Sequence, residues 1–118
     1  MKIYNKLGIC FLILKKYENS VNILKEGLKN DVRNTDLRYN LSLAYYYWED
    51  FEKAFNVLEE ILSLNPYYPG ANYLKGMCLE KTGKIKEAEK AYVEELNNNP
   101  GSRDAWKKIR AFSTRTEL

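Results

Sequence analysis

Few residues of this 118-residue sequence have the types and spacing that catalysis needs. Histidine is absent, which removes the commonest general base near neutral pH and the commonest metal ligand. No nucleophilic side chain stands at a useful spacing from a base, so no reaction class can be assigned. We therefore expect a protein that is not an enzyme, with no catalytic residues, no metal site and no cofactor.

The two cysteines, Cys10 and Cys78, are the remaining candidates for redox or metal chemistry. No second metal ligand lies near either one. If the elements between them are helices stacked about 8–10 Å apart, roughly 20 Å separates the two thiols. A disulfide needs Cα atoms within about 7 Å. The sequence therefore predicts two buried free thiols and a reducing compartment.

Positive charge is concentrated at the C-terminal end. The formal net charge is +3, and residues 103–118 carry five Lys/Arg against Asp104 and Glu117. A basic segment beside Trp106 could contact phosphate or an acidic partner. A nucleic-acid function normally needs a larger basic face, so a solvated terminal helix is favoured over it. The candidate residues of this basic end are Lys107, Lys108 and Arg110.

A spacing of 34 residues organises the elements that must position all these side chains. Ala54 and Ala88 are 34 residues apart, and so are Pro66 and Pro100. The same step relates further sets: Gly8, Ser42 and Gly76, and Phe11, Tyr45 and Leu79. Three copies in phase fill the ranges 1–34, 35–68 and 69–102. A repeat of this length is one supersecondary unit that must stack on neighbours to bury its apolar face.

Each repeat predicts two antiparallel helices. The first helices are expected over 2–14, 36–48 and 70–81, and the second over 18–30, 52–64 and 85–97, with a seventh helix over 103–118. Asp50 and Ser102 are candidate N-caps, and Gly83 ends a helix where a left-handed residue is needed. The chain enters its first helix with no capping residue ahead, which suggests a piece of a longer array or a frayed start.

The apolar run Leu7–Leu14 resembles the core of a signal peptide. It is only eight residues long, Lys15 and Lys16 end it, and it lies in phase with the repeat. No stretch is long enough to span a bilayer. The sequence therefore favours a cytoplasmic protein without a membrane segment over a secreted one.

The fullest copy of the repeat lies in residues 39–66. It reads YNLSLAYYYWEDFEKAF from Tyr39, followed by Leu58, Ile61, Leu62 and Pro66. This resembles the tetratricopeptide repeat, which has a large residue at place 4, Leu at 7, a small residue at 8, an aromatic at 11, Ala at 20, an apolar residue at 24 and Pro at 32. The first copy supplies Tyr4, Leu7, Gly8, Phe11, Ser20, Leu24 and Val32, and the third supplies Asn72, Lys75, Gly76, Leu79, Ala88, Tyr92 and Pro100. The copies depart from the pattern at Gly27, Val32, Asn72, Lys75 and Glu95.

The resemblance implies an all-α fold: a right-handed α-solenoid of three helix–turn–helix repeats plus a C-terminal capping helix over 103–118, forming a single domain, 1–118. It also implies a non-catalytic protein–protein interaction module that binds an apolar helix or peptide of a partner in a concave groove. Places 2, 5, 9, 12 and 13 of the first helices line that groove, whereas places 3, 7, 10, 11 and 14 pack inward. In the helix over 36–48 the inward residues are Leu41, Ala44, Tyr45 and Trp48. The candidate groove residues are Asn5, Ile9, Leu12, Ile13, Tyr39, Asn40, Leu43, Tyr46, Tyr47, Tyr73 and Met77.

Several interpretations of these groove residues stay open. Tyr39 and Tyr46 could merely brace adjacent helices. Ile9, Leu12 and Ile13 could pack on a preceding helix or on another copy of the chain, which makes self-association into a homo-oligomer an alternative function. The chain could also be a fragment of a longer protein of this family.

The best-known ligand mode of the family clamps a C-terminal carboxylate between paired basic residues and Asn. Asn40 would fit that role, and Asn5 could. The third repeat, however, has Gly70 and Leu74 where the basic pair is needed, and Lys81 is the only groove-side cation of that helix. The clamp is therefore not favoured, and an apolar ligand suits the groove better.

Overall fold

The computed structural model describes residues 2–117, with side chains described up to Ser113. Within this range the chain forms seven α-helices and no strand. The predicted helices are confirmed, and their described ends differ by one residue or less from those expected; Leu118, the expected end of the seventh helix, lies outside the described residues. Their bounds are α1 Lys2–Ile13, α2 Tyr17–Asn30, α3 Thr35–Tyr47, α4 Phe51–Leu64, α5 Ala71–Lys81, α6 Ile85–Asn98 and α7 Arg103–Glu117.

The helices form two compact units, Met1–Pro66 and Tyr67–Leu118. In the first unit α1 packs on α2 and α3 on α4, while α2 and α1 both contact α3. In the second unit α5 packs on α6, and α7 packs on α6. The arrangement of one single domain, 1–118, stays a prediction.

Small residues let the two helices of a repeat approach each other closely. A Cβ added to Gly8 would stand 2.5 Å from Leu24 Cδ2, and one added to Gly76 would stand 2.5 Å from Tyr92 Cε1. The buried hydroxyl of Ser20 donates a hydrogen bond to the Gly8 carbonyl at 2.7 Å. Places 8, 20 and 24 of the repeat therefore meet at the helix–helix contact, as the spacing predicts.

The turn between the two helices of each repeat has the same backbone conformation. Its central residue is left-handed in all three copies: Lys15 has φ 61°, Glu49 φ 64° and Gly83 φ 84°. The next N–H then bonds back across the helix end, at 2.8 Å from Lys84 N to Leu79 O. This is the hydrogen bond of a Schellman motif. The predicted role of Gly83 is confirmed, and the other two copies reach the same turn without glycine.

The predicted N-caps are confirmed by side-chain hydrogen bonds. The Asp50 carboxylate accepts from the Lys53 N–H at 3.2 Å, and the Ser102 hydroxyl oxygen accepts from the Ala105 N–H at 3.3 Å. These bonds satisfy backbone donors that the first turn of a helix leaves without partners.

Five apolar residues at places expected to pack inward are exposed: Ile3, Leu7, Cys10 and Leu14 of the first repeat and Trp48 of the second. Trp48 is 45% exposed because α3 ends at Tyr47 and Trp48 is its C-cap. Cys10 is exposed because no helix among the described residues covers its side of α1, so the prediction of two buried thiols is wrong for Cys10 and right for Cys78. Trp106 is also exposed, and Ala105 and Phe112 are the residues of α7 that are buried.

Candidate functional site

The candidate groove residues of the first unit lie on one side of α1 and α3, which we call the α1–α3 face. Asn40 Nδ2 donates a hydrogen bond to Asn5 Oδ1 at 2.8 Å, joining the two helices. Both side chains are half-buried. This hydrogen bond between the two helices helps to fix the register of α1 against α3. The face consists of Asn5, Ile9, Leu12 and Ile13 on α1 and Tyr39, Asn40, Leu43, Tyr46 and Tyr47 on α3.

Apolar side chains follow this amide pair along both helices. On α1, Ile9 and Ile13 come four and eight residues after Asn5, so they share its side of the helix, and both are exposed. On α3, Leu43 is half-buried and Tyr47, four residues later, is exposed. The face is therefore apolar where it is open to solvent.

The tyrosines of this face pack against each other. The Tyr46 ring meets the Tyr47 ring edge-on with centroids 5.4 Å apart, and it meets Phe51 at the same distance. Tyr46 is half-buried by these contacts. Tyr46 thus contacts the first residue of α4 as well as its neighbour Tyr47, and the choice between a bracing and a ligand-binding role for Tyr46 stays open.

Tyr73 and Met77 belong to α5 in the second unit and are half-buried there. The Tyr73 ring stands 5.6 Å from the ring of Tyr92, which in turn stacks on Phe112 at 5.9 Å. The tilted contact with the buried Tyr92 fixes the Tyr73 ring. Their participation in a ligand site stays a prediction.

The three residues of the basic end on α7 differ in their surroundings. Lys108 Nζ lies 3.0 Å from Glu80 Oε1 and 5.9 Å from the centroid of the Tyr92 ring, so this cation is engaged in packing α7. Lys107 and Arg110 are exposed. Trp106 Nε1 donates to the Pro100 carbonyl at 3.2 Å, which fixes the indole beside them.

The described residues contain no cluster of three or more potential metal ligands. Burial raises the pKa of the Cys78 thiol from its ordinary 9.0 to about 12, because an apolar environment disfavours the thiolate. No helix of the described range is both long and apolar enough for a membrane span.

A sequence model described as tetratricopeptide repeat matches residues 49–111, more than half of the chain. The chain belongs to the tetratricopeptide repeat family. The all-α helical-repeat fold of the solenoid class follows from the structural neighbours as well. The first tetratricopeptide domain of Spaghetti (RPAP3), bound to the HSP90 peptide SRMEEVD, has a TM-score of 0.90 at 23% identity over 98% of this chain and 92% of that one. The chaperone SycD of Yersinia enterocolitica has a TM-score of 0.91 at 14% identity, covering 99% of this chain and 94% of that one.

Relatives by sequence are much longer than this chain. A BBSome complex member BBS4 homolog of Drosophila melanogaster is 28% identical over 92 residues, which is 78% of this chain and 18% of the relative. An Hsp70-Hsp90 organising protein of Plasmodium falciparum is 30% identical over 98 residues, or 80% of this chain and 39% of the relative. The chain thus spans between about a fifth and two fifths of the length of these two relatives.

One departure from the tetratricopeptide pattern has a visible structural role that the sequence did not indicate. Glu95 is buried, and its carboxylate accepts hydrogen bonds from the N–H of Gly70 at 3.1 Å and of Tyr73 at 3.2 Å. Gly70 is the N-cap of α5 and has no side chain to do this. The sequence shows an acidic residue at a core place and a helix start without a capping side chain, but nothing in it links the two.

Another departure, Gly27, is explained by its neighbours. A Cβ at this position would stand 2.8 Å from Tyr4 Cβ and 3.2 Å from Leu37 Cδ1. The missing side chain therefore leaves room for two larger ones, from α1 and α3.

Proposed function

We propose that this chain is a non-catalytic protein–protein interaction module that binds an apolar helix or extended peptide on the α1–α3 face. The observation that carries the proposal is the exposure of Ile9, Ile13 and Tyr47, which stand at groove places of the paired helices α1 and α3. Solvent-exposed apolar residues that cluster on one face usually mark an interaction site. Tyrosine adds contact area at low entropic cost and is enriched at interfaces.

Comparisons support the general mode of action. Solved tetratricopeptide domains of similar fold carry an HSP90 peptide or an HSP70 peptide, and a relative by sequence is an Hsp70-Hsp90 organising protein. A peptide-binding role for this chain is consistent with these relatives. Its peptide class, however, we infer from its own residues.

We expect an apolar ligand rather than a terminal carboxylate. Asn40, the residue best suited to hold a carboxylate, already donates one of its two amide N–H groups to Asn5. The positions where a clamp needs cations hold Gly70, the N-cap of α5, and the buried Leu74. A carboxylate placed there would lose its water and gain no cation at either position, which is unfavourable.

A peptide library displayed on phage tests the proposal. The immobilised chain should select peptides with apolar or aromatic residues at helical or alternating spacing. These peptides should lose binding to the Tyr47→Asp variant and keep binding to Val93→Asp, a control that places the same charge at an exposed apolar position of α6. The peptide SRMEEVD should bind to neither. Selected peptides that bind Tyr47→Asp as well as the parent chain would refute the proposal.

Two alternatives predict different measurements. Self-association through the apolar faces predicts a mass by light scattering that rises with protein concentration. Nucleic-acid binding through the basic end predicts salt-dependent retention on RNA or DNA that is lost when Lys107 and Arg110 are neutralised. The pairing of Lys108 with Glu80 leaves fewer cations for nucleic-acid binding.

The proposal of an interaction module includes two further points: the chain acts as a segment of a longer protein, and that protein works in the cytoplasm.

A further inference from the structure

A second apolar surface follows a different side of α1 and consists of Ile3, Leu7 and Cys10 together with Leu14, the residue after the end of the helix. We call it the outer face of α1. Ile3 is 64% exposed, Leu7 39% and Leu14 63%, and Cys10 is exposed as well. These residues recur every three or four positions and therefore form one continuous stripe. At 100° per residue, the middle of the stripe lies about a quarter turn from Ile13 and further from Ile9, and Cys10 borders Ile13 at the edge between the two surfaces.

The repeat itself shows what such a stripe is shaped to contact. The residues at the same places of the second repeat are Leu37, Leu41, Ala44 and Trp48; the first three are buried, and Trp48, which follows the end of α3, is 45% exposed. That side of α3 packs on the preceding helix α2, where Leu37 lies against Gly27. The outer face of α1 thus repeats a surface that, one repeat later, is covered by an amphipathic helix.

The charges around the outer face differ from those at the internal contact. Residues 1–17 contain Lys2, Lys6, Lys15 and Lys16 and no acidic residue. Lys6 is three residues after Ile3 and four before Cys10, so it borders the stripe. Within the described part of the chain, none of these four lysines forms an ion pair. The stripe is therefore bordered by cations without counter-charges.

We propose that the outer face of α1 docks an amphipathic helix of a partner protein that carries acidic residues beside its apolar stripe. A second copy of this chain is a poor occupant. Two α1 helices packed in antiparallel fashion would bring Lys2 and Lys6 against Lys15 and Lys16 of the other copy, and like charges in register are repulsive. A contact of α1 with the exposed side of α7 would set the same lysines against Arg103 and Lys107.

The test uses Cys10 as a reporter in the centre of the face. Because the Cys78 thiol is buried and ionises only near pH 12, a maleimide reagent near neutral pH modifies Cys10 selectively. Two synthetic peptides serve as probes, both built on the sequence of residues 17–30, the helix that covers the equivalent face of α3. The acidic probe carries Lys25→Glu and Lys29→Glu, and the basic probe carries Glu18→Lys and Glu26→Lys.

The acidic probe should slow the modification of Cys10 at least about fivefold more than the basic probe, which is the effect expected of a few ion pairs at the rim of an apolar contact. The protection should decrease when NaCl is raised from about 50 mM to about 500 mM. It should be lost in Leu7→Glu and kept in the matched control Val93→Glu, since Val93 is 42% exposed on α6.

Other outcomes overturn the proposal. Equal protection by the two probes, or protection that survives Leu7→Glu, would show that acidic helices are not recognised on this face. Cys10 protection that rises with the concentration of the chain alone, together with a dimer mass in light scattering, would assign the face to a second copy. The Tyr47→Asp variant should retain the protection, so failure of the α1–α3 site and failure of this one are distinguishable.

Discussion

The carboxylate of Glu95 on α6 caps the start of α5 by accepting a hydrogen bond from the N–H of Gly70 at 3.1 Å. Its second oxygen accepts from the Tyr73 N–H at 3.2 Å. These are the N–H groups of the N-cap and N3 positions, which a capping box would satisfy within one helix. In α5 their acceptor comes instead from a residue on the partner helix α6. The family pattern expects a small apolar residue at this place, so the chain has replaced a packing contact by a charge-assisted cap.

Replacement of Glu95 by Ala should destabilise the protein by about 1–3 kcal/mol, because it leaves two backbone donors without partners in a buried site. Glu95→Gln, which keeps one acceptor oxygen, should cost less. Glu94→Ala is the matched control, since Glu94 is an exposed neighbour on the same helix, and it should change little. Urea unfolding followed by circular dichroism measures all three, and equal stability of Glu95→Ala and Glu94→Ala would disprove the capping role.

The left-handed turn residues give a stabilising prediction. Glu49 has φ 64° in the same turn where the third repeat has Gly83. A left-handed conformation costs a non-glycine residue about 1–2 kcal/mol. Substitution by glycine removes this cost, but the greater freedom of glycine in the unfolded chain offsets part of the gain in stability. We expect Glu49→Gly to stabilise the protein by about 0.5–1 kcal/mol.

The control for this prediction is Glu49→Ala, which removes the same carboxylate and keeps the strain. In thermal unfolding, the midpoint temperature should rise for Glu49→Gly and not for Glu49→Ala. A gain shared by both variants would assign the effect to the lost charge, and the turn would then not be strained.

Much of the fold could be predicted because each place of the repeat occurs three times in the sequence, so a pattern seen in one copy can be checked in the other two. Ala54 and Ala88, one repeat apart, located the helix contact, and caps such as Asp50 set the helix ends to within one residue. Glu95 could not be predicted, since its hydrogen-bond partners lie 25 and 22 residues away in sequence and no local pattern links them.

The candidate site was predicted less completely, for a physical reason. Helical spacing tells which residues share a side of α1, but whether that side is covered depends on a neighbouring helix. Cys10 and Leu41 illustrate this: both were assigned inward, and only Leu41 has α2 beside its helix to cover it. The side of α1 that carries Cys10 is therefore exposed, whereas the equivalent side of α3, which carries Leu41, is buried.

The contact between α3 and α4 gives a prediction of overpacking. Ala54 is completely buried at the place where the first repeat has Ser20, whose hydroxyl contacts the backbone of the facing helix. Ala54→Leu inserts three carbons into this contact and should destabilise by about 1–3 kcal/mol. The same substitution at the exposed Ala111 of α7 is the control. An unchanged unfolding midpoint for Ala54→Leu would contradict the observed helix register.

The buried thiol of Cys78 makes stability depend on pH in the alkaline range. Its pKa is raised to about 12 in the folded protein, whereas an exposed thiol has 9.0. Above about pH 9 the unfolded chain therefore releases a proton that the folded protein retains, and this favours unfolding. The contribution of Cys78 to stability is complete below pH 9 and is lost progressively as pH rises towards 12.

The Cys78→Ala variant lacks this ionisation. It should be less stable than the parent chain at about pH 8, because the smaller side chain leaves a cavity, but it should lose less stability between about pH 8 and about pH 10.5. Cys10→Ala, which removes the exposed thiol, should follow the parent chain over the same interval. If Cys78→Ala and Cys10→Ala show the same dependence on pH in urea unfolding, the alkaline destabilisation arises from other groups, and the buried thiol is not what opposes folding at high pH.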